Sequence, residues 1–496
     1  MGYLKNYLNN RGDEEMENSS TIAYLATLDH LTRNCPPVAE AIIAELRKQR
    51  SSLKLIASEN YSSLTTQLAM GNLLTDKYAE GYPFHRFYAG CENVDSIESQ
   101  AVETLKTLFG AESAYVQPHS GADANLVAFW GVLIKKFEAQ ELETLGKKSV
   151  VDLSDEEYET LRQKFGKQKL MGMSLAAGGH LTHGSRVNLS SKMFQSISYG
   201  VDPKTHLLDY KQIEDMAMRE RPLILIAGYS AYSRLIDFSI MKEIAHKCGA
   251  VLLVDMAHFA GLVAGKAITG KYDPIAYADI VTSTTHKTLR GPRGGMILCK
   301  KEYEEVMNKG CPHVLGGPLP HVMAAKLVAF KEALKPDYQK WAAQVLKNAK
   351  ALSDSLSSFG VKILTGGTDN HLMVLDVQKS FGLTGRQAET ILSTCGITAN
   401  RNMIPQDQNG AWFTSGVRIG TPALTSRGMQ ENEMAIIGEV LYNVLKETKP
   451  ADDPKTGKKS LTKGITEEKV IVHTRKRIEE LLTSFPLYPE IMIDHE

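Results

Sequence analysis

Lys287 stands in Thr282-Ser-Thr-Thr-His-Lys-Thr-Leu-Arg-Gly-Pro-Arg-Gly-Gly, just after a β-branched run and just before a glycine-rich turn. A lysine at a strand end inside a shielded pocket can shed its proton and condense with a carbonyl, which a water-exposed lysine does poorly. Thirty-two positions earlier, Asp255 ends the apolar run Val251-Leu-Leu-Val-Asp. An isolated buried carboxylate is expensive and needs a partner; a protonated ring nitrogen would serve, and a structural ion pair is the plainer alternative. His119-Ser-Gly-Ala-Asp-Ala-Asn125 places a hydroxyl and small residues ahead of an apolar helical run. That arrangement offers backbone N–H groups and the positive end of a helix to a phosphate.

These residues need a scaffold, and the sequence supplies one. Residues 223–227, 251–255 and 280–285 are short, apolar or β-branched and end in polar residues, which predicts buried parallel strands. Between the first two, residues 237–249 carry Ile240, Ile244 and Cys248 on one face and stop at Gly249, so a right-handed β-α-β unit is expected. Ligands of such sheets sit outside the carboxyl ends of the strands, where Ser230, Asp255, His258 and Thr284 to Lys287 fall. Phosphate cradle, carboxylate and lysine in this order give the plan of a fold-type-I pyridoxal 5'-phosphate (PLP) enzyme.

The first thirty or so residues, with an acidic patch from Asp13 to Glu17, read as a polar N-terminal arm before a helix that starts after Pro36-Pro37. Residues 138–170 are charged and helical, with a capping box at Ser154 and a stop at Gly166, and read as an inserted surface hairpin. After Gly317 come amphipathic helices around Ala324 to Leu334 and Trp341 to Phe359, short strands near Leu372 to Val377 and at Arg418, and a last helix carrying Val470, Thr474, Ile478, Leu481 and Phe485. The expected organisation is an N-terminal arm and helix over 1–60, a large PLP-binding α/β domain with a mostly parallel sheet over 61–325, and a C-terminal α+β domain over 326–496.

Lysines plus arginines and aspartates plus glutamates number 57 each, so no net field would hold a nucleic-acid backbone. The basic stretch Lys455 to Lys463 reads as a solvated linker. The six cysteines form no C-x-x-C pair, which fits reduced thiols in the cytoplasm. No apolar run approaches a membrane span, and the start Met-Gly-Tyr-Leu-Lys-Asn has no signal-peptide core or myristoylation Ser/Thr. Neither membrane nor metal is expected.

From about residue 53 to 441 the sequence resembles the serine hydroxymethyltransferase family. Seven blocks match in order: Leu55-Ile-Ala-Ser-Glu-Asn-Tyr, Lys77-Tyr-Ala-Glu-Gly-Tyr-Pro, Gly178-Gly-His-Leu-Thr-His-Gly-Ser, Tyr229-Ser-Ala-Tyr-Ser-Arg, Val254-Asp-Met-Ala-His, Thr284-Thr-His-Lys-Thr-Leu-Arg-Gly-Pro-Arg-Gly-Gly and Ser415-Gly-Val-Arg-Ile-Gly-Thr-Pro-Ala. The resemblance implies reversible conversion of L-serine and tetrahydrofolate to glycine and 5,10-methylenetetrahydrofolate, through a PLP aldimine on Lys287. It implies Asp255 on the pyridine nitrogen, His180 stacked on the ring, Ser120 and Gly121 at the phosphate, Ser230 and His258 near the phenolic oxygen, and Thr284 and His286 beside the lysine. Arg418, with Ser58, would fork onto the substrate carboxylate. Glu80 would be the acid-base residue near the serine hydroxyl and the folate, which calls for a pocket that disfavours its charged form. Asn402 would line the folate pocket. Tyr78 and Tyr88 would reach cofactor and substrate from the neighbouring subunit, and Gly317 the neighbour's phosphate, so a homodimer or larger assembly with shared sites is implied.

Three segments depart from the family pattern. Arg86-Phe-Tyr-Ala-Gly stands where Arg-Tyr-Tyr-Gly-Gly is usual, so Phe87 lacks a hydroxyl and altered folate or substrate handling is expected. Cys311-Pro-His-Val-Leu-Gly-Gly-Pro keeps Gly316 and Gly317 but loses the usual glycine- and glutamine-rich lead. Ala122 replaces a frequent serine in the cradle, which predicts weaker cofactor retention. Two other readings compete: a folate-independent PLP aldolase of threonine type or an amino-acid racemase, opposed by Glu80 and Asn402; and a non-catalytic cofactor- or RNA-binding relative, opposed by Lys287, Asp255, Arg418 and zero formal net charge.

Overall fold

The structure is a computed structural model that describes residues 2–9, 18–452 and 457–493. The acidic patch Asp13 to Glu17 and Lys455 lie outside the described residues.

Seven strands form the central sheet, in the order Ser113–Tyr115, Gly295–Cys299, Ile280–Thr284, Val251–Asp255, Ile224–Gly228, Lys169–Met173, Gln195–Tyr199. All run parallel except Gly295–Cys299, which is antiparallel to both its neighbours. The three expected strands are buried at every position, because helices cover both faces of the sheet. Helix Phe238–Cys248 closes the expected β-α-β unit, capped by Asp237 and ended by Gly249 at φ +77°. Its buried face is Phe238, Met241, Ile244, Ala245 and Cys248, so Ile240 lies at the margin of that face, not on it.

Other boundaries move. The inserted hairpin is present as helices Ala139–Thr144 and Asp155–Phe165, tied by the Lys164–Glu141 ion pair at 2.5 Å. It ends before 169, since Lys169–Met173 is a sheet strand. The N-terminal arm is helical where described: Tyr3–Asn9 and Ser19–Asn34 join Pro36–Arg50 in one apolar cluster with Ile491 and Ile493. The stretch after 456 forms strand Lys459–Ile465, paired antiparallel with Lys449–Asp452, where a linker was expected. Its Leu461 carbonyl accepts from Thr384 Oγ1 at 2.8 Å.

Strand Gly416–Gly420 is the middle strand of a second, antiparallel sheet, between Leu372–Asp376 and Asn400–Asn402. Leu53–Lys54 pairs parallel with Ile397–Thr398, which fastens the N-terminal segment to this C-terminal layer. The expected boundary between 325 and 326 falls inside helix Pro320–Ala333, whose Met323 and Phe330 belong to the large-sheet core. Helix Pro336–Ser358 spans the junction, with Trp341 and Val345 in the large-sheet core and Leu352 and Leu356 in the C-terminal one. The last helix, Glu468–Ser484, buries Thr474, Ile478 and Leu482 against that second core, with Leu481 beside them. Among the described residues no helix is long and apolar enough to cross a membrane, and all six cysteines are free, with only Cys35 exposed.

Candidate active site

The carboxyl ends of the central strands gather most of the expected residues. Asp255 is 7% exposed. Its Oδ2 accepts from Asn125 Nδ2 at 2.9 Å and lies 3.0 Å from His183 Nε2, and its Oδ1 accepts from the Ala257 N–H at 3.0 Å. Burial opposes the charge on Asp255, yet His183 and Asn125 hold the carboxyl well below the usual carboxylate range. The Asn125 amide is itself fixed, since its Oδ1 accepts from Thr282 Oγ1 at 2.6 Å and its Nδ2 also donates to Thr182 Oγ1 at 2.8 Å. His180 stands beside this network, its Nδ1 at 2.8 Å from Thr182 Oγ1. Burial lowers its pKa to about 4, so the ring presents a neutral face.

Lys287 follows strand Ile280–Thr284. Burial lowers its pKa to about 8; Asp255 pulls the other way, while Arg418 and Arg293 add to the fall. About a tenth of this amine is therefore uncharged at pH 7, against less than about a thousandth of an ordinary lysine, and the uncharged state is the one that condenses with an aldehyde. Thr284 Oγ1 reaches the Ala257 carbonyl at 3.3 Å. His258 Nδ1 lies 3.3 Å from His371 Nε2 with the rings stacked, and burial keeps both neutral, His371 at about 3. His286 is likewise lowered to about 3 by burial and the nearby Arg293 and Lys287 charges.

Ser120 caps helix Gly121–Val132, its Oγ accepting from the Asp123 N–H at 3.1 Å. At Gly121 an added Cβ would come 2.7 Å from Thr284 Cγ2, so the cradle is pressed against the strand that leads to Lys287. The nearby buried nitrogens His119 Nε2 and His286 Nδ1 have no hydrogen-bond partner, as expected where a polar group remains to be added.

Arg418 enters from the second sheet. Its Nη1 donates to the Ser230 carbonyl at 2.6 Å, Nε to Asn400 Oδ1 at 3.3 Å and Nη2 to Ser58 Oγ at 3.5 Å. All three acceptors are neutral. A buried guanidinium bound only to neutral acceptors leaves its charge unmatched, which suits an incoming carboxylate; burial alone lowers its pKa to about 10. Asn402 lines a cavity of about 450 Å³ together with His180 and Ser230. A larger cavity, about 800 Å³, lies elsewhere, between Arg50, Arg427 and Arg475; these arginines donate to backbone carbonyls there.

Glu80, Tyr78, Tyr88 and Gly317 form a separate cluster. The Tyr78 and Tyr88 rings meet edge to face at 4.8 Å, and a Cβ on Gly317 would lie 3.2 Å from the Tyr78 ring. The charge of Glu80 raises the Tyr78 pKa. Among the described residues no hydrogen bond or ring contact joins these side chains to Lys287 or Asp255 within the chain. Phe87, 69% exposed, follows the hairpin of strands Gly81–Tyr82 and His85–Arg86, which Tyr78, Glu80 and Tyr88 flank in the chain. Cys311 has a packing role here: its Sγ accepts from the Gly81 N–H at 3.4 Å and donates to the Gly316 carbonyl at 2.9 Å.

Sequence reasoning missed Asn125, His183 and His371. The first two lie inside blocks already singled out, and their signal was the need of a buried Asp255 for donors. Nothing in the local sequence marks His371.

The arrangement fits PLP: an amine near neutrality, an ionised carboxylate for the ring nitrogen, a capped helix start for the phosphate and a guanidinium for a substrate carboxylate. The comparisons agree with that reading. The family model described as serine hydroxymethyltransferase matches residues 31–143 and 155–441, leaving out only part of the inserted hairpin between them. A serine hydroxymethyltransferase of Treponema pallidum (strain Nichols) is 57% identical over 98% of this chain and 84% of its own length. Those of Chlamydia trachomatis serovar D and Chlamydia felis are each 51% identical over 99% of both chains. With the Lys287 pocket and the near full-length matches in accord, this chain belongs to the serine hydroxymethyltransferase family.

Proposed function

We propose that the chain converts L-serine and tetrahydrofolate reversibly to glycine, 5,10-methylenetetrahydrofolate and water, with PLP held by Lys287. The observation that carries this is the meeting in one cleft of a buried lysine with a pKa of about 8, an ionised Asp255 and an Arg418 bound only to neutral acceptors. When bound, PLP supplies an electron sink for the pair released as a bond to the substrate Cα breaks.

The chain's own residues prepare that step. Lys287 would hold the cofactor through its uncharged amine, and Asp255 presents a fixed negative charge that would keep a proton on a ring nitrogen. His180 would lie against the ring, Ser120 and Gly121 would hold the phosphate, and Ser230 and His258 would serve the phenolic oxygen. Thr284 and His286 flank the lysine. Arg418 forks onto the serine carboxylate with Ser58 assisting, which orients the Cα–Cβ bond. Glu80 takes and returns the proton of the serine hydroxyl, and Asn402 lines the folate pocket.

The Glu80 hairpin serves the site of a second copy. Leu73, Tyr78, Phe84, Phe87 and Tyr88 are 48% to 87% exposed within sixteen residues. An apolar patch of that kind on a folded chain marks a contact surface, which supports a homodimer with shared sites, including Gly317 at the neighbour's phosphate. Free thiols, five of them buried, support the cytoplasm as its location.

The test is glycine formation from L-serine by the PLP-loaded protein with and without tetrahydrofolate. Strong folate dependence supports the transferase. Equal, slow cleavage of serine or threonine-type substrates without folate points to the aldolase.

A further inference from the structure

The hairpin of strands Gly81–Tyr82 and His85–Arg86 contains one side chain that faces inward. Arg86, whose side chain is 4% exposed, donates from Nη1 to the carbonyls of Ala79 at 2.9 Å and Gly81 at 3.0 Å. These are the two residues that flank Glu80 in the chain. Its other nitrogens meet Asp95 at 2.8 Å and Glu98 at 2.5 Å, about one turn apart on helix Glu92–Phe109. Gln117 completes the frame, donating from Nε2 to the Gly81 carbonyl at 2.8 Å and to Glu98 Oε1 at 2.7 Å. The Phe87 N–H returns to the Glu80 carbonyl at 3.0 Å. Gly81 has φ +99°, and a Cβ there would run into the His85 carbonyl, so the turn admits no larger residue. The backbone on both sides of Glu80 is thus fixed to the rigid body of the subunit while its side chain remains half-buried.

We propose that Arg86 is a positioning residue for the transfer step: it touches no substrate but fixes the carboxylate of Glu80 through the Ala79 and Gly81 carbonyls. The proposal rests on the reading of Glu80 as the acid-base group. Two physical points favour it. A buried ion pair adds little net stability over well-packed apolar residues, so the Arg86–Glu98 pair is poorly explained as a stabilising device. A planar guanidinium can serve two carbonyls and two carboxylates at once, which the ammonium of lysine cannot match.

The experiment uses the PLP-loaded full chain with Arg86→Lys, and with Arg86→Met combined with Glu98→Gln so that Glu98, the more deeply buried of the two carboxylates, carries no unpaired charge. Folate-dependent serine cleavage is measured together with amide hydrogen exchange at Phe87, each also in a Glu80→Gln background. The expected result is a kcat lowered about tenfold to a hundredfold, with KM for L-serine within about twofold and faster Phe87 exchange. Arg86→Lys should lose less than the double variant. In the Glu80→Gln background the Arg86 change should add less than about a further twofold, because both act on one group. An unchanged kcat and unchanged Phe87 exchange in the folded double variant overturns the proposal, as do losses that multiply in the Glu80→Gln background. If Glu80→Gln alone is fully active, the Glu80 reading fails and carries this proposal with it. That outcome is distinct from a crippled Glu80→Gln beside intact Arg86 variants.

Discussion

At the scale of single residues, Lys287 sets the pH behaviour. Its pKa of about 8 in the folded chain lies below the ordinary 10.5, so between those values the unfolded chain binds more protons than the folded one. Stability of the cofactor-free protein therefore rises with pH across that window. Burying the charged amine at neutrality costs about 3 kcal/mol. Lys287→Met should raise the urea midpoint of the cofactor-free protein at pH 7, with the gain vanishing above about pH 10.5; a lower midpoint at pH 7 would contradict this. Cofactor capture followed by absorbance should accelerate with pH up to about 8 and then level off. Ala122→Ser restores a hydroxyl in the cradle and should tighten PLP binding by about 1 kcal/mol, read by equilibrium titration; no change would show that the backbone donors suffice. Lys287, Asp255 and Ser120 were legible because each is an odd residue in its setting: a charge ending an apolar run, or a hydroxyl opening a helix. Arg418 was not legible without the family pattern, since an arginine between valine and isoleucine has no local mark of what it faces.

At the scale of elements, the strand ends bring His180, His258, His286 and His371 into one buried region, each with its pKa lowered by burial. Below the ordinary histidine value the unfolded chain takes up protons that the folded chain refuses, so stability is lost as pH falls from about 6.5 toward 4. The urea midpoint should drop steeply between pH 6.5 and 4.5, whereas a flat profile would show these rings to be solvated. Lys326 on helix Pro320–Ala333 is a different device. It is 1% exposed and its Nζ donates to the carbonyls of Val116 at 2.6 Å, Pro118 at 2.9 Å and Gly295 at 2.8 Å, which ties the cradle loop to two strands. Lys326→Met leaves those carbonyls short of a donor and should destabilise the fold by about 2–4 kcal/mol, measured by urea unfolding. The three apolar strands were legible from their continuous burial pattern. Lys169–Met173 was missed because Lys169 and Gly172 interrupt its apolar run, although Gly172 is where a Cβ would meet His183. The strand Lys459–Ile465 was missed because its exposure alternates among polar residues and its anchor, Thr384, lies far away in sequence.

At the scale of the whole molecule, one chain carries two separate groups of residues, the Lys287 pocket and the hairpin of Tyr78, Glu80 and Tyr88, which are the two proposed half-sites. The proposed dimer would join them in pairs, a reading that the exposed aromatic residues around the hairpin support. The change from apolar strands to long amphipathic helices was readable in the sequence, but the junction between the two apolar cores was not, because helix Pro336–Ser358 serves both along its length. That the two half-sites make one catalytic site is tested most directly by mixing inactive Lys287→Ala and Glu80→Gln chains, allowing subunits to exchange, and measuring folate-dependent glycine formation. Each mixed dimer would hold one intact site, so random exchange should restore about a quarter of full activity. No recovery despite demonstrated exchange, or full activity of either variant alone, would contradict the shared site.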